Sequence, residues 1–212
     1  MSVSPEEPDQ CIYIVDDDEA LRDSLVWLLE SSGYTVCAFD SAETFLDAWS
    51  ERMTGCLVLD VRMPGMSGLE LFEALRERHS TLPVIFITGH GDVPMAVAAV
   101  KRGAVDFIEK PFGDRDMLGL IEESLARERE GRQRRLLEAE TARRLGELTQ
   151  REREVLDLII AGKLNKQIAD VLGISIKTVE VHRARVMEKM GANSLAELVQ
   201  SVISGEQGAV RG

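Results

Sequence analysis

Three consecutive aspartates, Asp16, Asp17 and Asp18, follow the apolar run CIYIV; Asp60 ends CLVLD, Thr88 ends LPVIFIT and Lys110 ends AVDFIEK. Carboxylates converging from separate segments repel one another and rest together only beside a cation, and their hard oxygens favour Mg2+ over softer-ligand metals. One such carboxylate can attack a phosphoryl donor to give an acyl phosphate, with the metal, an ammonium and a hydroxyl stabilising charge on the transferred oxygens. Asp60, Lys110 and Thr88 have the types for these roles. Taken singly each has a plainer use. A strand-end aspartate such as Asp18 or Asp40 commonly caps a helix, Lys110 alone would be a surface lysine, Thr88 a turn residue, and Phe107 a core residue of its strand. Several such positions at successive strand ends are harder to explain that way.

The elements that must carry these residues alternate regularly. CIYIV, YTVCAF, CLVLD, LPVIFIT and AVDFIEK are short apolar runs, each followed by an amphipathic stretch of helical period. Five strand-then-helix repeats predict an α/β flavodoxin-like, doubly wound, five-stranded parallel sheet over 10–127, its continuously apolar strands covered on both faces. In such a sheet ligands bind outside the carboxyl ends of the strands, where the aspartates, threonine and lysine stand. Residues 1–9 form a tail.

From 128 to 147 the chain is rich in Arg, Glu, Gln and Ala. It reads as a helical charged linker, serving either as a solvated spacer or as a dimerising coiled segment. Thr149 and Glu152 then form a capping box that opens an all-α four-helix domain over 148–205. Asn165 to Leu172 is a short helix, Gly173 a tight turn, Ser175 the cap of a helix reaching about Met190, and Ser194 with Glu197 the box of a last helix. Residues 206–212 are a Gly-containing tail, expected to be frayed.

The 212 residues carry a net charge of -12, which taken whole argues against nucleic acid. The charge is uneven, however: residues 1–130 hold 11 Lys and Arg against 26 acids, and residues 131–212 hold 14 against 11. Only the second segment suits phosphates. The three cysteines, Cys11, Cys37 and Cys56, lie in apolar runs where buried free thiols are expected, consistent with a reducing cytoplasm. No apolar run approaches the roughly 20 residues that span a bilayer, so no membrane association is expected.

On the helix Ile176 to Met190, Val179, Arg183, Val186 and Met190 share one side, and Lys177, Val181, Ala184 and Glu188 fall opposite. A short helix, a glycine turn and a capped second helix make a helix-turn-helix, whose second helix enters the major groove of double-stranded DNA; a plain bundle is the alternative.

VDDDEALRDSL, LDVRMPGMSGLEL and VIFITGHGDVPMAVAAVKRGAVDFIEKPF together resemble the receiver domain of two-component response regulators, particularly of the FixJ type. The resemblance implies that Asp60 accepts a phosphoryl group from a sensor histidine kinase, that Asp17, Asp60 and the carbonyl of Arg62 hold Mg2+, and that Asp16 serves the metal through water. It also implies that Thr88 and Phe107 are a switch pair, that Lys110 contacts the phosphate, and that the bond before Pro111 is cis. Phosphorylation would remodel the surface near 93–112 and promote a homodimer.

The segment LTQREREVLDLIIAGKLNKQIADVLGISIKTVEVHRARVMEKMGANSLAEL is similar to the LuxR-type DNA-binding domain. The similarity implies that Glu180, Val181 and Ala184 face bases. It makes Lys166, Lys177, Thr178, His182, Arg183, Arg185 and Lys189 backbone-contact candidates. Leu195, Leu198, Val199 and Val202 become candidates for a DNA-bound dimer, and RNA polymerase an expected partner of a regulator that activates transcription.

The residues admit two other readings. A DxD-type aspartyl phosphatase or phosphotransferase would use Asp16 and Asp18, but Ala20 stands where that type wants Thr or Val, and the C-terminal domain is left without a use. A regulator whose receiver is indifferent to phosphate would leave Asp16, Asp17, Asp60, Thr88 and Lys110 without a joint purpose.

Overall fold

The computed structural model describes residues 10–89 and 93–209, leaving aside the side chains of 93–96 and 203–209. The chain divides into two compact units, one through Gly131 and one from Arg132.

In the first unit β1 (Cys11–Val15), α1 (Glu19–Ser31), β2 (Thr35–Phe39), α2 (Ala42–Ala48), β3 (Gly55–Asp60), α3 (Gly68–Glu77), β4 (Val84–Thr88), α4 (Val93–Lys101) and β5 (Asp106–Glu109) succeed one another. The strands form one parallel sheet in the order β2-β1-β3-β4-β5. Strand order therefore reverses beside β1 and β3, which places Asp16 and Asp60 next to each other at the crevice such a reversal creates.

Alternate residues of each strand serve opposite faces. Tyr13, Val15, Leu57, Leu59 and Phe86 pack with Phe45 of α2 and Leu71 and Leu75 of α3. Ile12, Ile14, Val58, Ile85 and Ile87 pack on the other side with Leu25 and Leu29 of α1 and with Met117 and Ile121. Those last two belong to α5, which runs unbroken from Asp114 to Gly146 and so includes the segment expected as a helical linker.

Two sequence expectations fail at the sheet's edge. β2 borders only β1, so it is largely exposed rather than covered on both faces, and Cys37 is exposed with it instead of buried. Asp40 does not cap α2: Ser41 takes that position, its hydroxyl accepting from the Thr44 N–H, while the Asp40 carboxylate accepts from the Ser41 and Thr44 hydroxyls. Asp18 does cap α1, accepting from the N–H groups of Ala20 and Leu21.

The second unit contains α6 (Gln150–Ile160), α7 (Asn165–Leu172), α8 (Ile176–Met190) and α9 (Leu195–Ala209). Thr149 and Glu152 form the full capping box on α6. Gly173, at φ 64 in the left-handed region that costs other residues a Cβ clash, makes the α7–α8 turn, and Ser175 caps α8. Ser194 accepts from the Glu197 N–H, but the Glu197 carboxylate reaches back to Asn193 rather than to Ser194 itself. α9 continues through the glycines to Ala209, beyond the expected start of a frayed tail at 206. The expected tail 1–9 lies outside the described residues.

This unit's core joins Val155, Leu156, Ile159, Ile168, Val179, Val186, Met190, Leu198 and Val202 and is wholly aliphatic. Both Trp, both Tyr and all six Phe precede residue 113.

Candidate functional site

Asp16 begins the loop after β1 with its side chain buried; Asp60 ends β3 and is 6% exposed. The Lys110 ammonium, following β5, stands between them, donating to Asp60 Oδ1 at 2.7 Å and to Asp16 Oδ2 at 3.2 Å. The remaining carboxylate oxygens are held by backbone. The Asp18 N–H donates to Asp16 Oδ1 at 2.8 Å, and the Arg62 N–H donates to Asp60 Oδ2 at 2.9 Å. One cation thus serves two buried carboxylates. Burial pushes the Asp60 carboxyl above its ordinary range, and the charge of Asp16 adds to this; the Lys110 hydrogen bond opposes but does not cancel them. Burial by itself would lower the Lys110 ammonium, yet its bonds to Asp60 and the charges of both aspartates hold it above its ordinary value.

Thr88, at the end of β4, is fully buried, and its hydroxyl has no hydrogen-bond partner among the described residues. Its carbonyl accepts from the Lys110 N–H at 2.8 Å, which ties the threonine to the lysine-bearing strand end. Phe107 lies two residues before Glu109, which pairs with Thr88, and packs half-buried against the α2–α3 core. The Lys110–Pro111 bond is cis.

The structure therefore brings Asp16, Asp60 and Lys110 into direct contact, with Thr88 on the adjoining strand end. Asp17 is exposed beside them. Arg62 meets Asp60 through its N–H. Among the described residues no three acidic, imidazole or thiol side chains are already gathered as a metal cage. The donor set at hand, two buried carboxylates and a third exposed one, is all oxygen and suits a hard divalent cation.

Two residues of this site had no assigned role in the sequence. Arg22 donates to the Asp16 carbonyl at 2.7 Å and fixes the loop that bears the aspartates; the signal was its place one helical turn after the Asp18 cap. Gly68 packs so closely that a Cβ there would lie 2.0 Å from the Asp60 carbonyl oxygen, a proximity that sequence spacing does not reveal.

In the helical unit, α8 buries Val179, Val186 and Met190 and exposes Lys177, Thr178, Glu180, Val181, Ala184 and Arg185; Lys166 of α7 is also exposed. His182 and Arg183 are half-buried, and His182 Nδ1 has no hydrogen-bond partner among the described residues. Lys189 stands apart from the other contact candidates. Its ammonium donates to Glu152 at 2.6 Å and to the Glu147 carbonyl at 3.0 Å, so it clamps α8 to the start of α6 instead of reaching outward. The Lys189 hydrogen bond, with the Thr149 N–H, pulls Glu152 down to about 2. Arg144 adds a second clamp, donating to the Met190 carbonyl at the end of α8. Of the four dimer candidates, Leu198 and Val202 are buried in the domain's own core, Val199 is half-buried and Leu195 is exposed. Only Leu195 and Val199 retain surface to offer.

Comparison with known proteins places these two units. The response regulator receiver domain matches residues 12–122, and the luxR family of bacterial regulatory proteins matches residues 146–202. The chain is 50% identical to the transcriptional regulatory protein FixJ of Azorhizobium caulinodans, covering 91% of each chain. It is 48% identical to FixJ of Bradyrhizobium diazoefficiens over 89% of this chain and 92% of that protein. The solved structure of the response regulator StyR superposes with a TM-score of 0.83 at 46% identity, covering 92% of this chain and 98% of that one.

Proposed function

Because the chain belongs to the FixJ-like two-component response regulators, transcription regulators with a receiver and a LuxR-type DNA-binding domain, we propose that Asp60 is its phosphoacceptor and that phosphorylation drives dimerisation and DNA binding. The observation that carries this reading is the buried Asp60, held by Lys110 beside a buried Thr88 hydroxyl that has no partner among the described residues.

In the proposed reaction an Asp60 oxygen attacks the phosphorus of a phosphohistidine on the sensor kinase. A P–O bond forms as the P–N bond breaks, and the electron pair leaves with the imidazole nitrogen. Lys110 is already at hydrogen-bond distance from Asp60 and would follow the charge onto the transferred oxygens. Asp17, Asp60 and the Arg62 carbonyl would hold Mg2+, with Asp16 acting through water, and the ion supplies further charge stabilisation at those oxygens when bound. The Thr88 hydroxyl, having no bond to give up, can turn to a phosphate oxygen at little cost, and its movement frees space toward Phe107 on the paired strand. The phosphoacceptor pocket would assist only the receiver's own phosphorylation and dephosphorylation, without turning over an external substrate.

α8 would lie in the major groove with Glu180, Val181 and Ala184 toward bases, and Lys166, Lys177, Thr178 and Arg185 toward phosphates. His182 and Arg183 can contribute only from their exposed edges, and Lys189 acts by holding the helix. Leu195 and Val199 would contribute to a dimer on DNA, which recruits RNA polymerase in the cytoplasm.

Light scattering in Mg2+, with and without beryllofluoride, tests the central step on wild type and Asp60→Ala. The expected result is a monomer that becomes a dimer in wild type alone. No change in either protein, with Mg2+ binding demonstrated, would leave a regulator whose receiver does not use phosphate and would overturn the proposal.

A further inference from the structure

Cys11 and Cys37 lie on neighbouring strands at the sheet's edge. Cys37 is in register with Tyr13, two residues along β1 from Cys11, so both thiols project from the same face of the β1–β2 pair. Their sulfurs meet at 3.1 Å, with Cys11 donating to Cys37. Cys37 is exposed and Cys11 is buried behind it. The third cysteine is a contrast within the same sheet: Cys56 of β3 is fully buried on the opposite face, packed with Ile12 and Ile14.

We propose that Cys11 and Cys37 form a dithiol modification site, oxidised by low-molecular-weight disulfides to an intramolecular disulfide that staples β1 to β2. Cys37 is the entry point because a reagent can reach it, and β2 is the partner able to move because it is paired on one side only. Closing the sulfur separation from 3.1 Å to the roughly 2.05 Å of a disulfide requires the edge strand to shift, because the two cysteines stand diagonally in the register rather than opposite each other. Burial pushes the Cys11 thiol up to about 12, which keeps it from reacting first and leaves it as the resolving group.

The chemistry balances. The Cys37 thiolate attacks one sulfur of the incoming disulfide, forming a mixed disulfide as the incoming S–S bond breaks, and the departing thiolate takes the proton that Cys37 gave up. Cys11 then loses its proton and attacks Cys37 Sγ, and the second small thiol leaves carrying that proton. The protein is oxidised by two electrons and the reagent is reduced to two thiols. The site stands at the amino end of β1, roughly 16 Å along the strand from Asp16 at the usual rise per residue, so it is a covalent input separate from the phosphoacceptor pocket.

The full chain treated with oxidised glutathione and analysed by mass spectrometry without reductant provides the test. Wild type is expected to lose two hydrogens, retain no glutathione, and yield a Cys11–Cys37 linked peptide that dithiothreitol reverses. Cys11→Ser should stop at a glutathione adduct on Cys37. Cys37→Ser, a change at an exposed position, should take up nothing at Cys11. A stable adduct on wild-type Cys37, a linkage involving Cys56, or an unmodified wild-type chain would each overturn the proposal.

Discussion

Each unit contains a nearly buried carboxylate bonded to a lysine, and the two pairs are held to opposite ends. In the helical unit Lys189 bonds the Glu152 carboxylate at 2.6 Å and its further bond goes to the uncharged Glu147 carbonyl; with the Thr149 N–H it draws the Glu152 carboxyl down to about 2. In the receiver Lys110 is divided between Asp16 and Asp60, burial prevails, and Asp60 is pushed up. A satisfied pair fixes geometry. An undersupplied one retains demand for positive charge, which a metal and an incoming phosphoryl group's stabilising ligands can meet.

The comparison breaks most severely at Lys110. Lys110→Met leaves two carboxylates facing each other, and in Mg2+-free buffer we expect the receiver's calorimetric stability to fall by about 3 kcal/mol, the low end for breaking a buried pair because the lysine is partly exposed. Added Mg2+ should restore more of that loss than it adds to wild type; equal Mg2+ effects would show that the pocket is not short of cation. Glu152→Gln should cost the helical unit about 2 kcal/mol through the lost charge on Lys189 and the weakened capping box, with hydrogen exchange accelerated in α6 and α8 and unchanged in the sheet.

Acid sharpens the same contrast. Since Glu152 is depressed in the folded state, its contribution is fully present above the ordinary glutamate range and is lost as pH falls from there toward about 2. The helical unit's calorimetric midpoint should therefore drop over that window in wild type, and less steeply in Glu152→Gln; parallel slopes would refute the assignment. The smallest expected effect on stability belongs to Thr88→Val. Because the hydroxyl has no partner to lose, we expect a change within about 0.5 kcal/mol, while beryllofluoride-induced dimerisation is impaired. A large loss of stability would show that the hydroxyl is bonded in the resting state.

Much of this was legible in the chain because hydrophobic period and strand-end position follow from local spacing. The five strands, the Asp18 and Ser175 caps and the gathering of Asp16, Asp60 and Lys110 all rest on such spacing. What the spacing did not show depends on neighbours in space. β2 is as apolar as β1, and only the sheet order makes it an edge that exposes Cys37. Ser41 displaced Asp40 because the cap goes to the residue whose backbone turns into the helix. Lys189 has a cationic type suited to a phosphate contact, and nothing in α8 alone reveals that Glu152, 37 positions earlier, claims it. The stripe on α9 was visible, but the burial of Leu198 and Val202 required knowing the helices beneath them.

The aliphatic core of the helical unit has a practical consequence. With Trp27 exposed on α1, Trp49 beneath the Arg78 guanidinium, and every Tyr and Phe also before residue 113, the chain's fluorescence and near-ultraviolet dichroism arise from the receiver side alone. Far-ultraviolet dichroism sums over both units. The difference between the two melting curves therefore isolates the DNA-binding domain optically in the intact chain, with no cleavage and no added label.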